Sequence, residues 1–299
     1  MTMPADAVTS TTVFVAEHRA VLAMQGGATR DVLQDTVTAD VTGLAPERPV
    51  YTALLTPQGK FLVDFFLIDP GDGGSTVLID VIADEAAALS KRLTMYAIRR
   101  DAKVLGETGL GVALGWGGAA PTAPDGALVV ADPRVPTMGW RLYAPDPVAA
   151  LSAMDLAPTA AEVGRAAYDA LRVREQVPDS GAELVPGETF VLEAGLDRLG
   201  AVDFRKGCYV GQEVTARMRH KTELKKRLMP VAVEGSAPVG TPVTTAAGKP
   251  AGTLFTQADG RALAHLRLDR IDGPLSAGAA RVIPDQPVSA ASTAASPSR

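Results

Sequence analysis

The sequence predicts an α+β chain that ends in a small antiparallel β-barrel, and three observations carry that prediction. Short apolar runs alternate with helical patterns from residue 11 onward. Two of those runs are joined by Thr56-Pro57-Gln58-Gly59, with proline second and glycine fourth as a type I turn prefers. From Leu228 the texture changes to short runs rich in valine and threonine, divided by Gly and Pro, the spacing expected of barrel strands.

The elements follow in order. Strands are expected over residues 11–15 and 20–24, a helix over 29–34, and a hairpin of residues 50–55 and 60–68 around the turn. Residues 60–68 are almost continuously apolar, which suits a strand buried on both faces. Asp64 interrupts them, and a carboxylate there must be hydrogen-bonded within the fold or used by a ligand. After a strand over 76–81, Asp84 is expected to cap a helix reaching Tyr96. Strands over 102–105, 111–116, 127–131 and 140–143 and a short helix over 147–154 come next. Thr159-Ala160-Ala161-Glu162 reads as a capping box opening a helix to Glu175, stopped by Pro178; Tyr168 and Arg172 then share one face. Barrel strands are expected over 228–233, 241–244, 251–257, 261–266 and 281–283. The implied organisation is a flexible N-terminus over 1–11, an α+β body over 12–222, a barrel over 223–284 and a disordered tail over 285–299, where Ala, Ser, Pro and Thr dominate.

Composition limits the function classes. With 46% hydrophobic and 21% charged residues in 299, the chain can bury substantial cores. Its apolar runs are far shorter than the roughly 20 residues a membrane span needs, and its first residues carry no targeting pattern, so no membrane and a cytoplasmic location are expected. A net charge of -5 argues against stable nucleic-acid binding. A local basic segment nevertheless runs through Arg217, Arg219, His220, Lys221, Lys225, Lys226 and Arg227. It is either a solvated face or a landing site for an anion. The single cysteine excludes an intramolecular disulfide and cannot hold an iron-sulfur cluster unaided, because such clusters take about four cysteine ligands.

That cysteine lies in Lys206-Gly207-Cys208-Tyr209-Val210-Gly211-Gln212-Glu213. Arg205 and Lys206 place positive charge near the sulfur, and a helix starting at about Gly211 would point free N–H groups at the loop; both favour a thiolate. Gly207 and Gly211 allow close backbone approach. The alternative is a small buried hydrophobe. His220, twelve residues on, is not brought to the thiol by that spacing, and no histidine, cysteine or carboxylate spacing resembles a zinc or calcium site.

The octapeptide, followed by Ala216-Arg217, resembles the signature of the YgfZ family of folate-binding iron-sulfur cluster assembly factors, relatives of the glycine-cleavage T protein (aminomethyltransferase). The likeness extends through Val37-Thr38-Ala39-Asp40-Val41, Leu55-Thr56-Pro57-Gln58-Gly59-Lys60, Asp64-Phe65-Phe66, Leu171-Arg172-Val173 and Gly200-Ala201-Val202-Asp203-Phe204. It implies ferredoxin-like folate-binding units of the aminomethyltransferase type around a central hole, then the barrel. It further implies tetrahydrofolate as cofactor, with Asp64, Tyr168, Arg172, Glu193 and Tyr209 as its binding residues.

The functional expectation is a monomeric accessory factor, not a conventional enzyme, that assembles or maintains clusters with iron-sulfur assembly proteins and [4Fe-4S] client enzymes. Cys208 is its reactive contact, Lys206 tunes the thiol, Gln212 and Glu213 fix the loop, and Arg217 ties the helix back or meets an anion. A folate-dependent aminomethyl transferase and a tRNA-modification protein acting directly on RNA are the alternatives. Against the transferase, Val63-Asp64 stands where T proteins carry adjacent aspartates and Leu171-Arg172-Val173-Arg174 lacks their glutamate. Arg19 stands where some YgfZ relatives carry a tryptophan against the folate, which implies that the ligand is held differently.

Overall fold

The computed structural model describes residues 11–221 and 224–285. Apart from Thr11 and Asp285, the expected flexible N-terminus and disordered tail lie outside the described residues. The body begins with β1 (Thr12–Val15), β2 (Arg19–Gln25), α1 (Thr29–Thr36), β3 (Val50–Leu55), β4 (Phe61–Ile68), β5 (Thr76–Ile82) and α2 (Ala83–Tyr96). It continues through β6 (Lys103–Glu107), β7 (Gly111–Trp116), β8 (Leu128–Ala131), β9 (Trp140–Ala144), α3 (Pro147–Ala153), α4 (Ala161–Arg174) and α5 (Gln212–Lys221). The barrel comprises β10 (Lys226–Glu234), β11 (Thr241–Thr245), β12 (Pro250–Ala258), β13 (Arg261–Arg267), β14 (Leu275–Ala277) and β15 (Ala280–Pro284).

The body holds a five-stranded sheet in the order β3-β4-β5-β2-β6 and a four-stranded sheet in the order β1-β7-β9-β8, and the barrel closes in the order β10-β13-β12-β11-β14-β15. β4 is an inner strand of a sheet covered on both faces, so alternate residues serve different cores. Phe66 and Ile68 pack with Phe14, Leu114 and Tyr143 from the other sheet. Val63, Phe65 and Leu67 pack on the opposite face with Leu33, Leu89 and Leu93 of α1 and α2. This two-sided burial is what made the strand read as continuously apolar.

Body and barrel meet through α4, whose Val173 packs with Leu228, Phe255 and Leu263. Beside it, Arg172 donates to Glu183 Oε2 (2.7 Å) and to Thr256 Oγ1 (2.5 Å).

Three local expectations are corrected. Asp84 does not cap α2: β5 runs directly into the helix, Ile82 takes the capping position, and Asp84 sits in the first turn, where a carboxylate still favours the helix dipole. The capping box at Thr159 does not form, because Ala160 is the capping residue and the Thr159 N–H donates to Val13 O at the edge of β1. α4 ends not at Pro178 but through Gln176 in the left-handed region (φ 55°), with the Val177 N–H closing on Arg172 O. β14 has no counterpart among the expected strands.

Candidate functional site

The octapeptide forms a pinned loop with an exposed thiol. Asp203 Oδ1 accepts the N–H groups of Arg205 (2.6 Å) and Lys206 (3.0 Å), turning the chain before the cysteine. The buried Lys206 ammonium donates to Val37 O and Ala39 O, both at 2.7 Å. It lies 5.3 Å from the Tyr209 ring centre. Burial pulls the Lys206 pKa down to about 8, against the opposing charges of Asp40 and Asp203. Burial pushes the Tyr209 phenol up to about 12. Gly211, at φ 83°, is packed so that a Cβ would stand 2.6 Å from Thr56 O. The β3–β4 turn therefore braces the loop from below, and Cys208 is left exposed.

Several expected roles change in this geometry. Lys206 does not hold its charge out to the thiol; its ammonium is spent on body carbonyls, and it acts as the loop's anchor. Gln212 Nε2 does reach back, to Gly207 O at 3.3 Å. Glu213 instead makes a surface pair with Arg217 (2.7 Å), an i,i+4 pair of the kind worth about 0.3–0.5 kcal/mol. Neither residue ties the helix to the loop. His220 is exposed on α5.

Of the residues nominated for folate, Asp64 and Tyr168 belong to one buried region, joined through Tyr51 and through Arg134, whose guanidinium lies over the Tyr51 ring. Asp64 is buried and accepts from Tyr51 Oη (2.8 Å) and Ser180 Oγ. Tyr168 packs between Phe14 and Trp116, with ring centres 5.8 and 5.7 Å away, and its hydroxyl accepts from Arg134 (2.6 Å). Arg172 is spent on Asp169, Glu183 and Thr256, and Tyr209, within the thiol loop, is buried in the apolar cluster that includes Phe61 and Leu55. Glu193 opens onto a cavity. The Asp64 carboxylate and the Arg172 guanidinium are paired within the fold, so a folate bound there would have to exchange these partners.

A buried charge network fills the space between the body's sheets, and the sequence reading missed it. Asp80 accepts from Arg19, from Arg141 (2.5 Å) and from Tyr143 (2.8 Å), while Asp132 accepts from Arg134 (2.7 Å) and Arg141 (3.2 Å). Arg141 also lies over Phe66 at 3.6 Å from the ring centre. Burial works against the Asp80 carboxylate, but Arg19 and Arg141 hold it below the usual range. The available signal was Asp80 itself, a lone acid in Thr-Val-Leu-Ile-Asp-Val-Ile, the same cue as Asp64 in β4.

A cavity of about 360 Å³ lies between body and barrel. The body contributes Lys60 and Glu193, the junction Lys225 and Lys226, and the barrel His265 and Arg267. Lys60 Nζ sits 3.4 Å from the Phe190 ring centre and donates to Glu188 O (2.7 Å). His265 Nε2 is buried, stands 3.5 Å from Glu193 Oε2 and makes no hydrogen bond. Burial lowers the His265 pKa to about 4, helped by Lys226 and Lys60, and burial raises that of Glu193 against the pull of the same lysines. Among the described residues no group of three or more His, Cys, Asp or Glu side chains could hold a metal ion. A cluster at Cys208 would need ligands from another chain.

The architecture is that of the aminomethyltransferases: it superposes on the crystal structure of glycine cleavage system aminomethyltransferase T from Bartonella henselae with a TM-score of 0.74, covering 92% of this chain and 84% of that one at 14% identity. Residues 225–292 match the family described as CAF17, C-terminal beta-barrel domain. Sequence similarity is narrower in meaning. Iron-sulfur cluster assembly factor IBA57, mitochondrial, from Mus musculus is 33% identical over 91% of this chain and 82% of its own length. The Homo sapiens protein of that name is 32% identical over 76% of this chain and 67% of its length, and the Pyricularia oryzae homolog 33% identical over 72% and 55%. The chain belongs to the IBA57 family of iron-sulfur cluster assembly factors. It spans only a little over half the length of the fungal relative. These relatives carry the IBA57 name in place of the YgfZ name expected from the signature. They also overturn the expected cytoplasmic location, since all three are named as mitochondrial.

Proposed function

We propose that this chain takes part in iron-sulfur cluster assembly by offering Cys208 as one ligand of a cluster whose remaining ligands come from a partner, either an assembly protein or a client enzyme. The carrying observation is the single thiol, exposed on a loop whose flanks are fixed by Lys206, Asp203 and Gly211. A pinned loop presents its sulfur at little entropic cost, and one thiol cannot complete a cluster's coordination. The cluster is cargo in this reading. Membership in a family of named assembly factors supports the process; the exposed thiol supports the residue. Nothing in the site favours aminomethyl transfer, because Asp64 is closed off by Tyr51 and Ser180.

The test is complementation. In cells lacking their own protein of this family, the activity of a [4Fe-4S] enzyme is measured after supplying the wild-type chain or Cys208→Ser. Rescue by wild type alone is expected. Equal rescue by both would reduce Cys208 to a bystander, and rescue by neither would remove the chain from the pathway.

A further inference from the structure

We propose that the cavity between body and barrel binds a small, multiply charged anion, phosphate- or polycarboxylate-bearing, with Lys60, Lys226 and Arg267 supplying charge and His265 a hydrogen bond. The argument begins with strand register. Lys226 of β10 lies directly opposite Arg267 of β13. The strand pleat turns both outward, since Met229, Ala264 and Leu266 face the barrel core. Like charges directly opposite one another destabilise a ladder. Here they stand at the mouth of a cavity into which the body sends a third cation, Lys60. Asp269 relieves Arg267 in part (3.0 Å), but among the described residues no ion pair involves Lys60, Lys225 or Lys226.

The floor repeats the pattern. His265 lies between Leu228 and Thr253 in register, which fixes its ring toward Glu193. A buried nitrogen without a hydrogen bond is unfavourable by about 1–3 kcal/mol in general, and a ligand oxygen accepting from an Nε2–H tautomer would remove that deficit. The acids of the lining do not cancel the cations. Glu183 is paired with Arg172, Glu188 is exposed, and Glu193 is half-buried, burial disfavouring its carboxylate against the pull of Lys226 and Lys60. A chain of net charge -5 thus gathers unpaired cations around one concavity of ligand size. An anion there would touch both body and barrel.

The probes are inorganic phosphate and citrate, each titrated into the full chain at ionic strength held constant with potassium chloride. Binding is read by calorimetry and by the His265 ring resonance. Saturable binding of one equivalent is expected, weakened at least about tenfold in Lys226→Ala and in His265→Asn, and unchanged in Arg281→Ala, which lies beside Glu234 at the opposite end of β10. Saturation by phosphate alone identifies a phosphate-bearing ligand; saturation by citrate alone, a polycarboxylate. No saturation by either probe, or equal affinity in wild type and Lys226→Ala, overturns the proposal. Lys226 is exposed, so its variant is expected to fold even if His265→Asn does not. The site does not involve Cys208, so Cys208→Ser is expected to bind as wild type does, and failure here leaves the cluster reading standing.

Discussion

Lys206 illustrates how a residue can be found correctly in sequence and misread in role. The motif singled it out as a charge beside a thiol; the fold turns its ammonium onto the carbonyls of Val37 and Ala39. Removing it strands two carbonyls and releases the loop. Lys206→Met is expected to lose about 1–3 kcal/mol in urea unfolding and to become more susceptible to proteolysis near Cys208; an unchanged midpoint would show that the anchor is dispensable. Two half-buried histidines, His18 and His265, give a second prediction. Burial and neighbouring cations, Arg165 first for His18 and Lys226 first for His265, hold both pKa values at about 4 against an ordinary 6.5. Between those values the unfolded chain binds the extra protons, so stability is present above pH 6.5 and is lost as pH falls toward 4. His18→Gln should flatten that slope by about 1–2 kcal/mol, measured as unfolding free energy at pH 7 and pH 4.5. A parallel slope in the variant would assign the acid sensitivity elsewhere. The charge network supplies the third. Asp80→Asn removes the carboxylate charge that Arg19 and Arg141 share and should cost about 3–5 kcal/mol; a loss below about 1 kcal/mol would mean that Asp132 can take over the pairing.

At the scale of elements, legibility follows from how local the deciding physics is. The β3–β4 hairpin was legible because its turn chemistry and two-sided burial are written in adjacent residues. The caps of α2 and α4 were not, because each helix start is set by the strand it leaves or touches: β5 ending at Ile82, and Val13 of β1 capturing Thr159. β14 is three residues long and has no periodicity to read. The thiol loop was legible as a motif, whereas the cavity was not. His265, Arg267 and Lys60 come together only through barrel register and the bracing of the hairpin against α5. That bracing is itself testable. Gly211 combines φ 83° with a Cβ position 2.6 Å from Thr56 O. Gly211→Ala must therefore strain the backbone and push the turn away, at more than about 1 kcal/mol. It should also disturb Cys208 presentation, read as a changed iodoacetamide labelling rate. Labelling and stability both equal to wild type would mean that the turn and loop are not mechanically joined.

For the whole molecule, the decisive joint is the one between body and barrel, and Arg172 is its centre. Nominated for a ligand, it instead binds Asp169 and Glu183 on its own side and Thr256 on the barrel. Glu183 reciprocates by accepting the Thr256 N–H (3.2 Å). The side chains of Arg172 and Glu183 are 1% and 0% exposed, so deleting one partner leaves the other as an uncompensated buried charge, at about 3–5 kcal/mol. The apolar part of the joint, Val173 against Leu228, Phe255 and Leu263, is small and cannot hold the units together alone once a charge is stranded beneath it. Arg172→Met is therefore expected to uncouple them. Calorimetry should resolve two transitions in the variant against one expected for wild type, and trypsin should cut after Lys225 or Lys226, at the junction. Adding Glu183→Gln to Arg172→Met removes the stranded charge and should restore part of the loss, a non-additivity that a double-mutant cycle measures directly. A single transition at the wild-type temperature in Arg172→Met would show that packing alone joins the barrel to the body, and that the ion pair is incidental to the architecture.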